Sequence, residues 1–386
     1  MADRPDRPIR VLHLISTLDV GGAEQNLFRL VASMDRESFV SEVVCMTTPG
    51  PMGRRIEEAG IPVHSLKMIK GKPEIGAVLK LRFMASLYRP DVIQCWMYHA
   101  NLMGMTLLHP RRVLWNIRCS DMDLAHYGHL YRLTVLAGAR LSRMPAAIIT
   151  NSEAGSVAHM RIGYRPKRWV TIPNGFDTDL FRPDAQTRSA MRAKLRIPED
   201  AFVIGLIGRL DPMKDHVTFF RAAGAFLAGH PGTHFILAGR GVTRKNQAIT
   251  DLMQGVPDTG TFHLLDERCD IPEVLSTLDM ATSSSVSEGF PNAVAEAMAC
   301  GLPCVATDAG DTGILLGDAG ILVKRQSPED LCRAWDFIAR MDPADRLAMG
   351  MKARERIRLH YTQRKTTESY QQEYLKTVTP VRSSAS

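Results

Sequence analysis

Short runs of apolar and β-branched residues alternate with segments that place apolar residues on one helical face, and this alternation occurs twice along the chain. Each run is typical of a strand buried in a parallel sheet. The predicted strands cover residues 10–15, 40–46, 62–66, 91–95, 113–118, 146–150 and 169–172 in the first half, and 202–208, 233–237, 261–265, 280–283, 303–307 and 320–323 in the second.

Helices are predicted between these strands, for example over residues 23–33 and 216–227. In each of the two, the apolar residues recur at the three- and four-residue spacing of an amphipathic helix. Repeated strand–helix–strand units require crossover connections, so each half is predicted to form a doubly wound parallel sheet. After residue 320 the pattern becomes helical, with helices predicted over 328–341, 344–360 and 363–377, before a frayed tail over 379–386.

The turn-forming residues that punctuate 174–198 place the domain boundary there. We predict an N-terminal domain over 1–178 and a C-terminal domain over 179–360. Residues 361–386 are expected to supply a helix that returns to the first domain, followed by the tail.

Composition narrows the class of protein. The chain has 386 residues, of which 45% are hydrophobic and 23% charged, which excludes a disordered or fibrous body. No apolar run reaches the ~18 residues of a membrane span, and no signal-peptide core follows the polar start, so a soluble cytoplasmic protein is expected. The seven cysteines form no Cys-x-x-Cys pair, which favours reduced, packed thiols over a zinc or dithiol site.

The net positive charge of the chain comes entirely from its first half. Residues 1–180 contain 23 Lys and Arg against 16 Asp and Glu, whereas residues 181–386 contain 25 of each. A basic face can meet nucleic acid, an anionic membrane or an acidic substrate. Because the basic residues form no block interleaved with aromatic residues, nucleic acid is not expected as a partner.

Ligands of open α/β sheets bind beyond the carboxyl ends of the strands, so functional residues are expected in the loops there. Gly21 and Gly22 follow the first strand and lead into a helix, where small residues let backbone amides approach a phosphate, although a tight turn also needs glycine. Arg209 and Lys214 follow the first strand of the second half, where they could clamp a diphosphate or pair with nearby aspartates. The loop 239–244 has Arg244 in place of the third glycine of the dinucleotide fingerprint, which disfavours a dehydrogenase.

A fourth loop carries the strongest signal. The segment 285–301 reads Ser-Val-Ser-Glu-Gly-Phe-Pro-Asn-Ala-Val-Ala-Glu-Ala-Met-Ala-Cys-Gly, with Glu288 in the loop and Glu296 within an apolar helix that ends at Gly301. The amides of Gly289, Phe290 and Asn292 are expected to point outward at the helix start, and Pro291 is expected in its first turn. Carboxylates and amides of this kind suit the hydroxyls of a sugar or ribose, and a carboxylate in so apolar a helix needs a partner.

These residues resemble those of the retaining glycosyltransferases of family 4, which have the GT-B fold. The resemblance rests on Glu-Gly-Phe-Pro-Asn-x-x-x-Glu-Ala-Met-Ala-x-Gly and extends to four further segments, at 21–24, 172–177, 208–214 and 303–308. It implies two Rossmann-like domains that face each other across a cleft. It also implies transfer of a sugar from a nucleotide diphosphate sugar to an acceptor hydroxyl with retained configuration, in polysaccharide or glycolipid synthesis.

The resemblance also implies roles for single residues. Arg209 and Lys214 would neutralise the diphosphate, Glu296 would hold the ribose, and Glu288 with Gly289, Phe290, Pro291 and Asn292 would hold the donor sugar. Gly21 and Gly22 would approach the donor phosphate. His99 matches the active-site histidine of the family, although a lone histidine can equally be structural.

No metal or other cofactor is expected. Glycosyltransferases of the other major fold hold a divalent ion with an Asp-x-Asp pair, and Asp121 and Asp123 have that spacing. They stand in the first of two similar halves beside Arg118 and His126, which favours a solvated loop.

Two alternatives to a transferase remain open. One is a nucleotide-sugar epimerase, and the other a sugar-nucleotide-binding protein without activity. The acceptor is expected to be lipid-linked or a soluble molecule, and peripheral contact with an anionic membrane through Lys67, Lys70, Lys72, Arg111 and Arg112 is expected if they share a face.

Overall fold

The computed structural model describes residues 7–19, 21–69, 74–107, 110–120, 128–257 and 260–379. The chain divides into two compact units. Unit 1 contains residues 1–175 and 363–386, and unit 2 contains residues 176–362. The division falls three residues before the end of the predicted first domain.

Unit 1 is built on a seven-stranded sheet in the order β3-β2-β1-β4-β5-β6-β7, and its strands pair in parallel. The strands are β1 (Ile9–Ile15), β2 (Phe39–Cys45), β3 (Val63–Ser65), β4 (Val92–Trp96), β5 (Val113–Ile117), β6 (Ala147–Thr150) and β7 (Trp169–Thr171). The helices are α1 (Gly22–Ser33), α2 (Pro51–Glu58), α3 (Ile75–Tyr88), α4 (Met97–Gly104), α5 (His129–Leu141) and α6 (Glu153–Arg161), with α15 (Gln363–Val378) added from the C-terminus.

Apolar side chains on both faces of this sheet form two cores. Residues of α1, α2 and α15 pack in one core with alternate residues of β1, such as Val11 and Ile15. Residues of α3, α4 and α5 pack in the other with Leu12 and Leu14. Because successive strand residues face opposite sides, burial on both sides gives the continuous apolar runs seen in the sequence.

Unit 2 has a six-stranded sheet in the order β10-β9-β8-β11-β12-β13, and these strands are also parallel. The strands are β8 (Val203–Ile207), β9 (His234–Ala238), β10 (Phe262–Leu264), β11 (Met280–Ser283), β12 (Cys304–Thr307) and β13 (Ile321–Val323). The helices are α7 (Ala185–Leu195), α8 (His216–Leu227), α9 (Gln247–Leu252), α10 (Ile271–Ser276), α11 (Asn292–Ala299), α12 (Thr312–Leu316), α13 (Pro328–Ala339) and α14 (Pro343–His360).

Helices cover both faces of this second sheet as well. One core combines α8 and α13 around Phe219 and Trp335, and the other combines α11 and α14 around Met298 and Ile357. The prediction of a doubly wound parallel sheet in each half is confirmed, and each of the thirteen predicted strands is present within two residues of its expected ends.

The last helix, α15, packs against α1 of unit 1 rather than against unit 2. Tyr370 and Tyr374 of α15 are fully buried in the unit 1 core. The Tyr370 hydroxyl accepts hydrogen bonds from Asn116 Nδ2 at 2.6 Å and Arg118 Nη1 at 3.0 Å. Unit 1 is therefore completed by residues from both ends of the chain.

The cysteines of the described residues are free thiols, and Cys45, Cys95, Cys300 and Cys304 are buried. Burial raises the pKa of each of these four thiols. They therefore stay protonated and unreactive. Among the described residues, no helix is both long enough and apolar enough to cross a membrane.

Candidate active site

In the sheet of unit 2, the loops with the strongest sequence signals emerge from neighbouring strands. β8 lies between β9 and β11, so the chain proceeds in opposite directions across the sheet from β8 and from β11. Such a reversal of strand order opens a crevice outside the carboxyl ends of the two strands, where open α/β sheets bind their ligands. The loop 208–215 leaves β8 and the loop 284–291 leaves β11 at this point.

Lys214 and Glu288 meet there, although 74 residues separate them. Lys214 Nζ lies 2.5 Å from Glu288 Oε1, and Ser285 Oγ donates to the same oxygen at 2.7 Å. Both charged side chains are largely buried, with 23% and 13% of their surfaces exposed. A partly desolvated ion pair of this kind holds both side chains in fixed positions.

Backbone geometry fixes Lys214 in place. It ends a 3₁₀ turn, Pro212–Lys214, that Asp211 caps by accepting a hydrogen bond from the Met213 amide at 2.9 Å. Asp215 follows with a left-handed φ of 47°, a conformation that costs a residue with a side chain and is concentrated at functional sites. The turn therefore holds the ammonium group at the crevice.

The two loops are joined to each other and to β12. The Val286 amide donates to the Met213 carbonyl at 2.9 Å, and Ser284 Oγ donates to the Lys214 carbonyl at 2.8 Å. Gly310, with φ of 58°, lies so close behind the loop that a Cβ atom there would overlap the Glu288 carbonyl oxygen. The Glu288 loop is thus preorganised by neighbours on both sides.

Arg209 is paired with Asp211 of its own loop. Its guanidinium binds Asp211 through Nε at 2.9 Å and Nη2 at 2.7 Å, and 57% of its side chain is exposed. Partial burial favours the neutral acid, but the hydrogen bonds from Met213 and Arg209 outweigh it, so the pKa of Asp211 is lowered. The predicted alternative of a salt bridge to a nearby aspartate is present, and it leaves the guanidinium exposed at the crevice.

The start of α11 differs in detail from the prediction. Pro291 is the N-cap rather than a first-turn residue, with φ of −81° and ψ of 82°. These angles form an inverse γ-turn, so the Asn292 amide donates to the Phe290 carbonyl at 3.0 Å. The expectation that the Asn292 amide points outward is therefore wrong. Phe290 itself is a core residue, stacked on Phe176 at 6.0 Å between ring centroids.

Glu296 lies one turn into α11, as its spacing predicts, with apolar helix neighbours that are buried. Burial and the nearby Glu296 carboxylate together raise the pKa of Cys300 to about 12. Gly301 ends the helix with φ of 75°, the left-handed conformation expected of a C-terminal glycine. The Glu296 side chain is half-buried.

Unit 1 has the same kind of strand reversal. β1 lies between β2 and β4, so the crevice in this sheet opens outside the ends of β1 and β4. Gly21 is the extended N-cap of α1, and Gly22 begins the helix. A Cβ atom on Gly21 would overlap the Glu24 carboxylate, whereas one on Gly22 would have no atom within 4 Å. The Glu24 carboxylate thus lies beside Gly21 at the helix start, and the side of Gly22 is open.

His99 follows β4 across the same crevice. Strand β4 ends at Trp96, and Met97, with a φ of 68°, turns the chain abruptly into α4. Asn101, with its amide oriented to donate, bridges the carbonyls of Cys95 and Met97 at 3.2 Å each and so stabilises this turn. His99 is exposed on the first turn of α4, and partial burial of its ring lowers its pKa. The ring is therefore neutral at pH 7 and can accept a proton or a hydrogen bond.

Asp121 and Asp123, which have the spacing of a metal-binding pair, lie outside the described residues. In the part of the chain that is described, no group of three or more His, Cys, Asp or Glu side chains could hold a metal ion.

The residues of the predicted basic face that can be placed lie at opposite ends of the unit 1 strands. Lys67 follows the carboxyl end of β3, whereas Arg111 and Arg112 immediately precede the amino end of β5. Lys70 and Lys72 lie outside the described residues.

Sequence reasoning missed two residues that build the site. Ser285 bonds to Glu288, and Gly310 lies against the Glu288 loop. Ser285 had a local signal, since it begins the same motif. The contribution of Gly310 depends on a segment that is distant in sequence, which spacing along the chain does not reveal.

Two family models match the chain. A "Glycosyl transferase 4-like domain" matches residues 21–175, and "Glycosyl transferases group 1" matches residues 201–340. The matches fall on the two sheets just described and contain the crevice residues of both. The chain belongs to the group 1, family 4-like glycosyltransferases and has their GT-B fold, with two Rossmann-like domains.

Individual relatives agree with this family. The putative glycosyltransferase EpsF of Bacillus subtilis is 26% identical over 87% of this chain and 88% of its own length. A D-inositol 3-phosphate glycosyltransferase of Mycobacterium tuberculosis is 29% identical over 59% of this chain, and the match spans about half (48%) of that protein.

Solved structures share the fold. Anabaena Alr3699/HepE in complex with UDP has a TM-score of 0.80 at 22% identity, covering 95% of this chain and 99% of that one. WaaG, a glycosyltransferase involved in lipopolysaccharide biosynthesis, has a TM-score of 0.70 at 16% identity, covering 94% and 99%.

Proposed function

We propose that this glycosyltransferase moves a sugar from a nucleoside diphosphate sugar to an acceptor hydroxyl, with retention of configuration at the anomeric carbon. The observation that carries the proposal is the cluster of Lys214, Glu288 and Arg209 at the strand reversal of unit 2. Two cations and a carboxylate there match a donor with a diphosphate and a polyol. The HepE structures in complex with UDP and with UDP-glucose support a uridine nucleotide as the first probe.

Lys214 and Arg209 would stabilise the charge that develops on the diphosphate as the glycosyl bond breaks. Such preorganised electrostatic stabilisation commonly contributes more to catalysis than any other effect, and losing one donor costs about 10²–10³ in kcat. Glu288 keeps Lys214 in place through its Oε1 atom, and its carboxylate can also bind hydroxyls of the donor sugar. Glu296 would bind the ribose diol, since a carboxylate accepts hydrogen bonds from two neighbouring hydroxyls.

In unit 1, the open helix start at Gly22 would bind the donor phosphate, and neutral His99 would bind a hydroxyl of the transferred sugar. Both residues lie in the first turns of the helices that follow the strands at the reversal of that sheet, α1 after β1 and α4 after β4. Their proposed role is to bind and orient the donor.

The stereochemical proposal follows from how Glu288 is held. One of its oxygens accepts from both Lys214 and Ser285, which lowers its nucleophilicity. We therefore favour a front-face reaction over a covalent glycosyl-enzyme. The bond from the anomeric carbon to the phosphate oxygen breaks, the acceptor oxygen bonds to the same face, and its proton passes to the departing phosphate.

Binding of UDP tests the donor site. Glu296→Ala and Lys214→Ala should each weaken binding or turnover by about 10- to 150-fold, because a hydrogen bond to a charged group contributes about 1.5–3 kcal/mol. For Lys214→Ala the larger loss is expected in kcat. Glu355→Ala and Lys352→Ala, on α14, are matched controls that should bind UDP normally. Calorimetry showing unchanged UDP affinity in a folded Glu296→Ala protein would remove Glu296 from the site.

Product analysis distinguishes the proposal from its alternatives. A transferase needs an acceptor for full turnover, an epimerase converts the donor sugar alone, and a binding protein releases no nucleotide. NMR of the first product formed shows whether the anomeric configuration is that of the donor. An inverted product would rule out the front-face reaction.

We also propose that transfer needs no metal ion, since Lys214 and Arg209 supply positive charge at the diphosphate. Activity should therefore survive excess EDTA. Complete loss of transfer in EDTA, restored by magnesium or manganese, would instead assign the diphosphate to a metal site and direct attention to Asp121 and Asp123.

A further inference from the structure

Helix α3 of unit 1 carries an exposed apolar stripe. Ile75, Leu79, Phe83 and Leu87 recur at intervals of four residues and are between 61% and 82% exposed. The opposite face of the helix, which includes Leu81, is buried in the core. Single exposed apolar residues are ordinary, but four large ones in a continuous row mark an interaction surface.

Helix α5 carries a second exposed apolar row on the same side of the sheet. Leu130, Leu133 and Leu136 are exposed, whereas Thr134 and Val135 are buried. Both helices pack in the core that covers one face of the unit 1 sheet. We call the two rows together the α3–α5 surface: Ile75, Leu79, Phe83, Leu87, Leu130, Leu133 and Leu136.

The charged residues within both helices are all basic, although the acidic Glu74 caps the start of α3 next to Ile75. On α3, Lys80 and Arg82 are exposed on either side of the apolar row, and on α5 Arg132 and Arg140 are exposed. Neither helix contains an aspartate or glutamate within its described residues, 75–88 and 129–141. An apolar face with cationic borders is complementary to a bilayer of anionic lipids, where the basic residues contact headgroups and the apolar ones enter the acyl boundary.

The α3–α5 surface is continuous with a cavity. A pocket of about 750 Å³ is lined by the first turns of α3 and α5, through Ile75 and Leu130, and by α4 through Leu102 and Met103. Most of the exposed surface that lines the pocket is apolar, although nine of its seventeen lining residues are polar, among them Asp19, Glu74 and His99. The two apolar rows therefore lead to a pocket that His99 borders.

We propose that the α3–α5 surface docks on an anionic phospholipid bilayer, and that the pocket receives the apolar part of an acceptor drawn from that bilayer. The assignment of the pocket to the acceptor rests on the proposed function, whereas docking of the surface does not. The α3–α5 surface differs from the membrane-docking face expected from the sequence. That face is defined by basic residues alone, whereas the α3–α5 surface is apolar with basic borders.

Vesicle flotation tests the docking. The full-length protein is mixed at low salt with phosphatidylcholine vesicles containing about 30% phosphatidylglycerol, conditions under which electrostatic attraction is weakly screened. The double variant Leu79→Gln/Phe83→Gln should bind at least about tenfold more weakly than the native protein. Lys80→Gln/Arg82→Gln should lose binding to these vesicles and show no change with pure phosphatidylcholine.

A matched control comes from unit 2, where Phe337 and Leu347 are 59% and 63% exposed, as Phe83 and Leu79 are 63% and 61%. Phe337→Gln/Leu347→Gln should leave vesicle binding unchanged. Absence of vesicle binding by the native protein at low salt would overturn the proposal. Equal losses of binding in Leu79→Gln/Phe83→Gln and in the control Phe337→Gln/Leu347→Gln would also overturn it. So would sedimentation showing that Leu79→Gln/Phe83→Gln converts a dimer into a monomer, because a second copy would then cover the surface.

The pocket is tested with n-alkyl glucosides below their micelle concentrations. Affinity should rise with chain length from hexyl to decyl in the native protein. The variant Thr106→Trp places an indole ring in the pocket just beyond the end of α4, so it should lose affinity for these glucosides. Its binding to vesicles should persist. No dependence on chain length would overturn the acceptor assignment. Calorimetry with UDP on the same samples shows separately whether the donor site of the proposed function is intact.

Discussion

At the scale of single residues, the candidate site depends on charges held in fixed positions by neighbours. Lys214 is fixed by Glu288 and the capped turn, and Arg209 by Asp211. Glu288 is 74 residues from Lys214 in sequence, whereas Asp211 is two residues from Arg209. Replacing one partner would therefore alter the position of the cation as well as the local charge.

His99 gives the enzyme a predicted pH dependence. Burial lowers its pKa from the ordinary 6.5, so the neutral form persists to more acidic pH than in a free histidine. Transfer should be constant from pH 8 to about 6.5 and decline below that as the ring becomes protonated. His99→Asn should lower kcat and remove this acidic limb of the kcat profile.

The matched control for that profile is His360→Asn, an exposed histidine at the end of α14. It should leave both kcat and the acidic limb unchanged. A profile of His99→Asn with the same acidic limb as the native enzyme would show that another group titrates.

At the scale of elements, the sequence predicted more of the fold than of the site. Buried parallel strands such as β6 and β8 consist mainly of apolar residues, and the 3.6-residue period identified α1 and α8. The family motif located Glu288 and Glu296. The γ-turn at Pro291 and the left-handed Met97 could not be predicted, because both depend on how the following helix packs rather than on local propensity.

Helix α15 provides a test of packing at this scale. Its Tyr370 hydroxyl is the acceptor for Asn116 and Arg118, whereas the Tyr374 hydroxyl, equally buried, has no hydrogen-bond partner among the described residues. Tyr370→Phe should lower the free energy of unfolding by about 1–3 kcal/mol, because it strands two buried donors. Tyr374→Phe should be neutral or stabilising. Denaturant unfolding of both variants checks this, and equal losses would contradict it.

At the scale of the whole molecule, three buried histidines link stability to pH. Burial lowers the pKa of His13 to about 3 and those of His159 and His216 to about 4. In the unfolded chain they bind protons near pH 6.5, so acidification favours unfolding between pH 6.5 and 4. Each should contribute up to ~1.4 kcal/mol per pH unit in that window.

Thermal unfolding at pH 7.5 and pH 5 measures this effect. The midpoint should be clearly lower at pH 5, and the difference should shrink in His159→Gln if that variant remains folded. An unchanged midpoint in the native protein would contradict the burial of these imidazoles in their neutral form.

The return of α15 to unit 1 also sets an order of events during synthesis. Unit 2 occupies residues 176–362, so all of it is made before α15. At ~5–20 residues per second, that takes about 10–40 s. During this interval the nascent chain has a complete unit 2, while the core around α1 lacks Tyr370 and Tyr374. The ribosome therefore finishes unit 2 first, and unit 1, which carries His99, is completed only when α15 emerges.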